Sequence, residues 1–138
     1  MYFIDANIFL ELLLDEERAD DCEVFLERVR NGSIEGVTTD FIIDSIVLVM
    51  ERWGKKPSEL LLFLSSLLGY KSLQTHFLSL YERIEATKHM QSLNLDFDDS
   101  TTCQAMRSLR LDQIVSFDTD FDNVPGIKRI EPRETQQE

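Results

Sequence analysis

The chain has 138 residues, 43% apolar and 29% charged, which suits one folded domain and excludes a chain disordered overall. Its 26 Asp and Glu against 14 Lys and Arg give a net charge of -12, which argues against nucleic acid held on a broad basic surface. It leaves open nucleic acid held through a metal ion and a local basic patch. No apolar run reaches the ~18 residues of a membrane span, and the N-terminus has no basic region before its apolar stretch, so a cytosolic protein without a signal peptide is expected.

Met1 to Ile4 is a short apolar run that reads as a buried strand, with Asp5 at its end and Asn7 two residues on. Ile8, Phe9 and Leu12 then recur at helical spacing. Glu16 to Asn31 reads as an amphipathic helix through Cys22, Phe25, Leu26 and Val29, stopped by Asn31-Gly32. Ser33 to Thr38 reads as a strand. Thr39 or Asp40 caps the next helix, Phe41 to Trp53, which is apolar nearly all round and so is expected to be buried or shared with a second subunit. Pro57 opens another helix that runs to Gly69. Tyr70 to Leu73 reads as a short strand. A helix from Thr75 places Phe77, Leu80, Tyr81 and Ile84 on one face and fades around Met90 to Asn94. Asp96 to Asp99 lead into a helix with Thr102, Cys103, Met106 and Leu109 inward. Ile114 to Phe117 reads as a strand ending at Asp118, and Ile127 to Ile130 as a last strand after the Pro125-Gly126 turn. Residues 133–138 read as a polar, mobile tail.

Strands alternating with helices predict an α/β domain over residues 1–132, with a mostly parallel sheet of four or five strands. Cys22 and Cys103 lie on apolar helix faces without ligand spacing, so both read as small buried hydrophobes.

Four acidic positions stand out by context. Asp5 and Asp118 end strands, where parallel sheets place ligands. Asp99 opens a helix after Asp96 and Asp98, and Asp44 lies within the apolar helix. Each has a plainer reading. Asp5 and Asp118 could cap the helix or turn next in the chain, and Asp98 and Asp99 could be first-turn residues favoured by the helix dipole. Asp44 could face solvent or a polar seam with Ser45 and Arg52, but an ionised carboxylate in a buried helix is costly unless paired or metal-bound. Carboxylates that converge repel one another, so a cluster persists when a cation neutralises it. Hard oxygen donors suit Mg²⁺ or Mn²⁺, and the absence of a Cys or His set disfavours zinc. Such a site can activate water against a phosphodiester.

These segments resemble a PIN domain, the nuclease fold of many prokaryotic toxins. FIDANIFLELL resembles its opening, and TTDFIIDSIVLVMER the segment bearing its second acidic residue. LDFDDSTTCQAMRSLRLDQIVSFDTDF resembles its C-terminal half, including Asp99-Ser100 and Ser116-Phe117-Asp118, and NVPGIKRIEP its closing strand. The resemblance spans about residues 1 to 132. It implies a three-layer α/β/α domain and a metal-dependent endoribonuclease, often the toxin partner of an antitoxin and often a homodimer.

Carried over residue by residue, the resemblance implies catalytic roles for Asp5, Asp44, Asp99 and Asp118. Asp5, Asp99 and Asp118 would hold Mg²⁺ or Mn²⁺, with Asp44 as outer ligand or water-orienting base. Asn7 and Ser116 match accessory polar positions, and Asp120 an outer position. Two departures stand out. The second acidic residue of the family is usually Glu, one methylene longer than Asp44, and Ala usually stands where this chain has Ser100. Asp40, one helical turn earlier on the same face, rivals Asp44, and Asp96 or Asp98 rivals Asp99. RNA would be gripped by Arg52, Trp53, Lys55 and Lys56, cations beside an aromatic, with Arg107, Arg110, Lys128 and Arg129 as a second patch. The alternative reading is a PIN-like protein with weak or no catalysis that binds RNA or protein.

Overall fold

The computed structural model describes residues 1–137. Five strands form one all-parallel sheet: β1 (Tyr2–Ile4), β2 (Gly36–Thr39), β3 (Leu73–His76), β4 (Gln113–Val115) and β5 (Lys128–Ile130). Six α-helices connect them: α1 (Ala6–Leu13), α2 (Ala19–Arg30), α3 (Asp40–Arg52), α4 (Pro57–Leu67), α5 (Leu80–Leu93) and α6 (Phe97–Leu109). Parallel strands need crossovers, and helices are the compact way to make them. The strand order is β3-β2-β1-β4-β5. The chain therefore winds outward from β1 through β2 to β3, then returns to the other side of β1 for β4 and β5. Right-handed crossovers put α1 to α4 on one face of the sheet and α5 with α6 on the other. The reversal lies between β1 and β4, and in open α/β sheets ligands bind at the carboxyl ends of strands beside such a reversal.

The core is set by the central strands. Phe3, Ile4, Ile114 and Val115 are fully buried, as strands covered on both faces require. Phe25, Val29, Ile42, Ile46 and Met50 cover one face. Gly36 is needed for close approach: a Cβ there would meet Ile4 Cδ1 at 2.5 Å. Cys22 and Cys103 are both buried, and burial pushes each thiol up to about 12, which keeps them neutral.

Several local expectations change. The third strand is Leu73–His76, not Tyr70 to Leu73, because the edge of the sheet accepts the polar sequence LQTH. α5 begins at Leu80, not Thr75, because Ser79 and Glu82 form a reciprocal capping box. The α3 helix is not buried all round: Ile42, Ile46 and Met50 face the core, while Asp44 and Leu48 are exposed. Within the segment read as a mobile tail, one residue packs against the domain. Thr135 is fully buried, and its carbonyl accepts from Arg28 of α2 at 3.0 Å. Residue 138 of that tail lies outside the described residues.

Candidate active site

Asp5 continues β1 without a linker. Its backbone N–H donates to Val115 on β4 at 3.1 Å, which seats it at the reversal of strand order. Its side chain is buried and hydrogen-bonded at both oxygens. Oδ1 accepts from the Ala6 N–H at 2.8 Å, so Asp5 does cap α1. Oδ2 accepts from the Ser116 hydroxyl at 2.6 Å and from Asn7 Nδ2 at 3.3 Å. Burial raises Asp5 to about 6; the bonds from Ser116 and Ala6 act against that rise, and Asp98 and Asp118 add to it.

Ser116 and Asn7 act as a clamp between the two strand ends. Ser116 is fully buried, donates to Asp5, and accepts from the Asp118 N–H at 3.0 Å. Asn7 donates to Ser116 Oγ at 3.3 Å, and its carbonyl accepts from the Phe117 N–H at 3.3 Å. The backbone after β4 is thereby tied to the start of α1. Asp118 caps the 3₁₀ turn Thr119–Asn123 by accepting from the Asp120 N–H at 2.9 Å. Arg129 fastens the same turn, meeting Asp122 at 2.9 Å and donating to the Ser116 carbonyl at 3.1 Å.

One carboxylate oxygen each from Asp99, Asp118 and Asp120 lie within 4.8 Å of one another. Asp99 stands in the first turn of α6, on the other side of the sheet reversal from α1. Desolvation and the charges of Asp118, Asp96, Asp5 and Asp98 push it up to about 8. No Lys or Arg forms an ion pair with Asp99, Asp118 or Asp120 among the described residues. The cluster is therefore a set of hard oxygen donors with uncompensated mutual repulsion, which suits a divalent cation such as Mg²⁺ or Mn²⁺.

The placement of the sequence candidates differs in several respects. Asp120, read as an outer residue, stands within the tight group, while Asp5 lies beside it, close enough to raise Asp99. Asp96 is occupied as the cap of α6, accepting from the Asp99 N–H at 2.8 Å. Asp40 is occupied too: Oδ1 accepts from the Leu78 N–H at 2.9 Å, and Oδ2 lies 3.6 Å from Arg83. It fixes the entry to α5. Asp44 is free of those ties and faces solvent on α3. The desolvation cost read from its apolar neighbours therefore does not arise.

The two basic patches stand on different elements, the first at the end of α3 and the start of α4, the second on α6 and β5. Arg52, Trp53 and Lys56 are exposed, and Arg52 sits about 18 Å along α3 from Asp40, at ~1.5 Å per residue. Lys55 borders a 250 Å³ hollow with Leu13, Met50, Glu59 and Phe63. Of the second patch, Arg107, Arg110 and Lys128 are exposed, while Arg129 is committed to the turn after Asp118. Sequence reasoning passed over Arg18. Its guanidinium stacks 3.6 Å from the ring centroid of Phe117, next to Asp118, and pairs with Glu11 at 2.9 Å. No local signal joins Arg18 to Phe117, since only the fold brings the start of α2 to the end of β4.

No curated protein matches the chain. Solved structures do share its fold. VapC20 of Mycobacterium tuberculosis, a Sarcin-Ricin loop cleaving toxin, is similar with a TM-score of 0.72 at 13% identity, over 88% of this chain and 93% of that one. A toxin-antitoxin complex from Klebsiella pneumoniae has a chain similar at TM-score 0.70 and 15% identity, over 96% of this chain and 98% of that one. VapBC2 of Rickettsia felis, bound to a DNA fragment from its promoter, has one at 0.69 and 13%, over 94% and 97%. At these identities the likeness is one of fold. The model of the PIN domain matches residues 2–127, nearly the whole chain, so this protein belongs to the PIN domain family.

Proposed function

We propose that this chain is a metal-dependent endoribonuclease that hydrolyses RNA phosphodiester bonds, and that it is the toxin of a toxin-antitoxin pair acting in the cytoplasm. The observation that carries the reading is the convergence of Asp99, Asp118 and Asp120 within 4.8 Å, beside buried Asp5, with no cation among the described residues paired to them. Asp5, Asp99, Asp118 and Asp120 would hold Mg²⁺ or Mn²⁺. When bound, the metal lowers the pKa of a coordinated water and neutralises charge on the phosphate. The chain's own residues do the rest. Ser116 and Asn7 fix the orientation of Asp5 and Asp118, and Asp44 orients the attacking water. Arg18, stacked on Phe117, offers a cation next to Asp118 for a phosphate, and Arg52, Trp53, Lys55 and Lys56 engage RNA further along the surface.

Partner surfaces support the toxin reading. Phe77, Leu80, Tyr81 and Ile84 are each more than half exposed, the last three on one face of α5 and Phe77 just before it. We assign this face to a homodimer. Leu61, Leu62 and Leu68 on and after α4 are also exposed, and we assign them to an antitoxin protein. The structures similar to this chain include toxin-antitoxin complexes.

The test is cleavage of a defined RNA pool by purified protein with Mn²⁺ or Mg²⁺, run beside Asp99→Asn and Asp118→Asn. Metal-dependent cleavage that falls at least 100-fold in both folded variants supports the reading. Metal-independent cleavage, or cleavage retained by both variants, overturns it.

A further inference from the structure

A cavity whose lining includes none of the clustered carboxylates lies beside α6. It measures 360 Å³, at the low end of the ~300–1,000 Å³ typical of small-molecule sites. α5, α6 and the turn before β5 line it, and it opens to solvent past the exposed Ser92 and Arg107. Leu93, Cys103, Met106, Leu111, Val124 and Ile127 make its walls apolar. The Cys103 thiol adds no charge, because burial holds it protonated.

Three polar side chains stand among these walls. His89 engages Gln104 Oε1 through Nε2 at 2.9 Å, which fixes the ring, and Ser92 lies one turn further along α5. The third is Arg107. In a chain with 26 acidic residues and a net charge of -12, Arg107 forms no ion pair among the described residues. An unneutralised guanidinium beside an apolar hollow is complementary to a molecule with an apolar body and one anionic end. The planar fork of Arg matches a carboxylate in particular.

We propose that this cavity is a binding site for a small amphipathic carboxylate, whose apolar body fills the hollow and whose carboxylate pairs with Arg107. The site shares walls with the elements that carry the carboxylate cluster. Cys103 stands one helical turn after Asp99 on α6, and Val124 ends the turn that Asp118 begins. The site is distinct from the cluster in its chemistry, since one end is cationic and the body apolar. Its existence does not depend on the nuclease reading.

Octanoate is the probe, titrated into the full chain and followed by amide chemical shifts, with octanamide as the uncharged control. The expected result is saturable 1:1 binding with shifts centred on residues 89–93, 103–111 and 124–127. Arg107→Ala is expected to weaken octanoate at least tenfold while leaving octanamide unchanged. Ser92→Trp, a bulky change at an exposed rim position, is expected to weaken both. Unaltered thermal melts of the two variants establish that they fold. No saturable octanoate binding by wild type at millimolar concentration overturns the proposal. So does binding that Arg107→Ala leaves intact, or shifts centred on the exposed leucines of α4.

Discussion

Ser116 donates its hydroxyl to Asp5 Oδ2 at 2.6 Å, across 111 residues of sequence, and accepts from the Asp118 N–H at 3.0 Å. One buried side chain therefore sets the orientation of both acidic residues at the ends of the central strands. Removing it leaves the buried Asp5 carboxylate short of a donor, which costs about 1–3 kcal/mol. Ser116→Ala is expected to lower the stability measured by urea unfolding by that amount. RNA cleavage should fall as well, because Asp118 loses its anchor. Unchanged stability and unchanged cleavage together would remove the clamp role.

The acidic cluster gives stability an uncommon pH dependence. Asp5 and Asp99 are raised to about 6 and about 8 from 3.8, chiefly by burial. Their folded values lie above the unfolded value, so between these limits the native state holds more protons than the unfolded chain. Stability then falls as pH rises from about 4 through about 8. With a chelator present, the melting temperature should drop across that range. Saturating Mn²⁺ should flatten or reverse the trend, since a metal takes the place of the protons. Parallel melting curves with and without Mn²⁺ would count against a metal at the cluster.

Asp120 offers a cleaner probe of the proposed metal site than Asp5, because it is exposed and its side chain holds no buried bond among the described residues. Asp120→Asn is expected to leave the melting temperature within about 2 °C, in line with surface changes within ±0.5 kcal/mol. Mn²⁺ affinity, read by calorimetry, should weaken about tenfold or more.

Asp40 and Asp44 separate by experiment as they do in space. Asp40 holds the Leu78 N–H and faces Arg83, so Asp40→Ala is expected to destabilise the fold by about 1–2 kcal/mol. Asp44 is exposed, so Asp44→Ala should leave stability unchanged while RNA cleavage falls about 10- to 100-fold. The opposite pattern would transfer the catalytic role to Asp40.

Ser100 is fully buried and its hydroxyl has no hydrogen-bond partner among the described residues. A buried hydroxyl left unpaired costs about 1–3 kcal/mol. Ser100→Ala, which restores the residue usual in the family at this position, is expected to raise the melting temperature. A lower one would mean that the hydroxyl has a partner, such as an ordered water.

Local pattern made much of this protein readable. The apolar run Tyr2–Ile4 and the helix after it fix Asp5 at a strand end, because period and capping are properties of neighbouring residues. The same holds for Asp96, Asp99 and the start of α6. The start of α5 is also encoded locally, in Ser79 and Glu82, but the apolar residues before it draw the expected helix boundary too early. The strand Leu73–His76 carries no such signal. Its partly exposed side chains at the sheet edge need no alternation of apolar and polar residues.

What the sequence by itself determined is the alternation of strands and helices and the delivery of acidic residues to strand and helix ends. Both arise from short-range sterics and hydrophobic period. Only the tertiary structure decided which carboxylates meet. Asp120 joined Asp99 and Asp118 because Ser116, Asn7 and Arg129 bend the chain after β4 into a 3₁₀ turn. Asp44 turned to solvent because the core needs only one face of α3, and Asp40 was taken by the entrance to α5. These outcomes rest on contacts between residues distant in sequence, which no local pattern records.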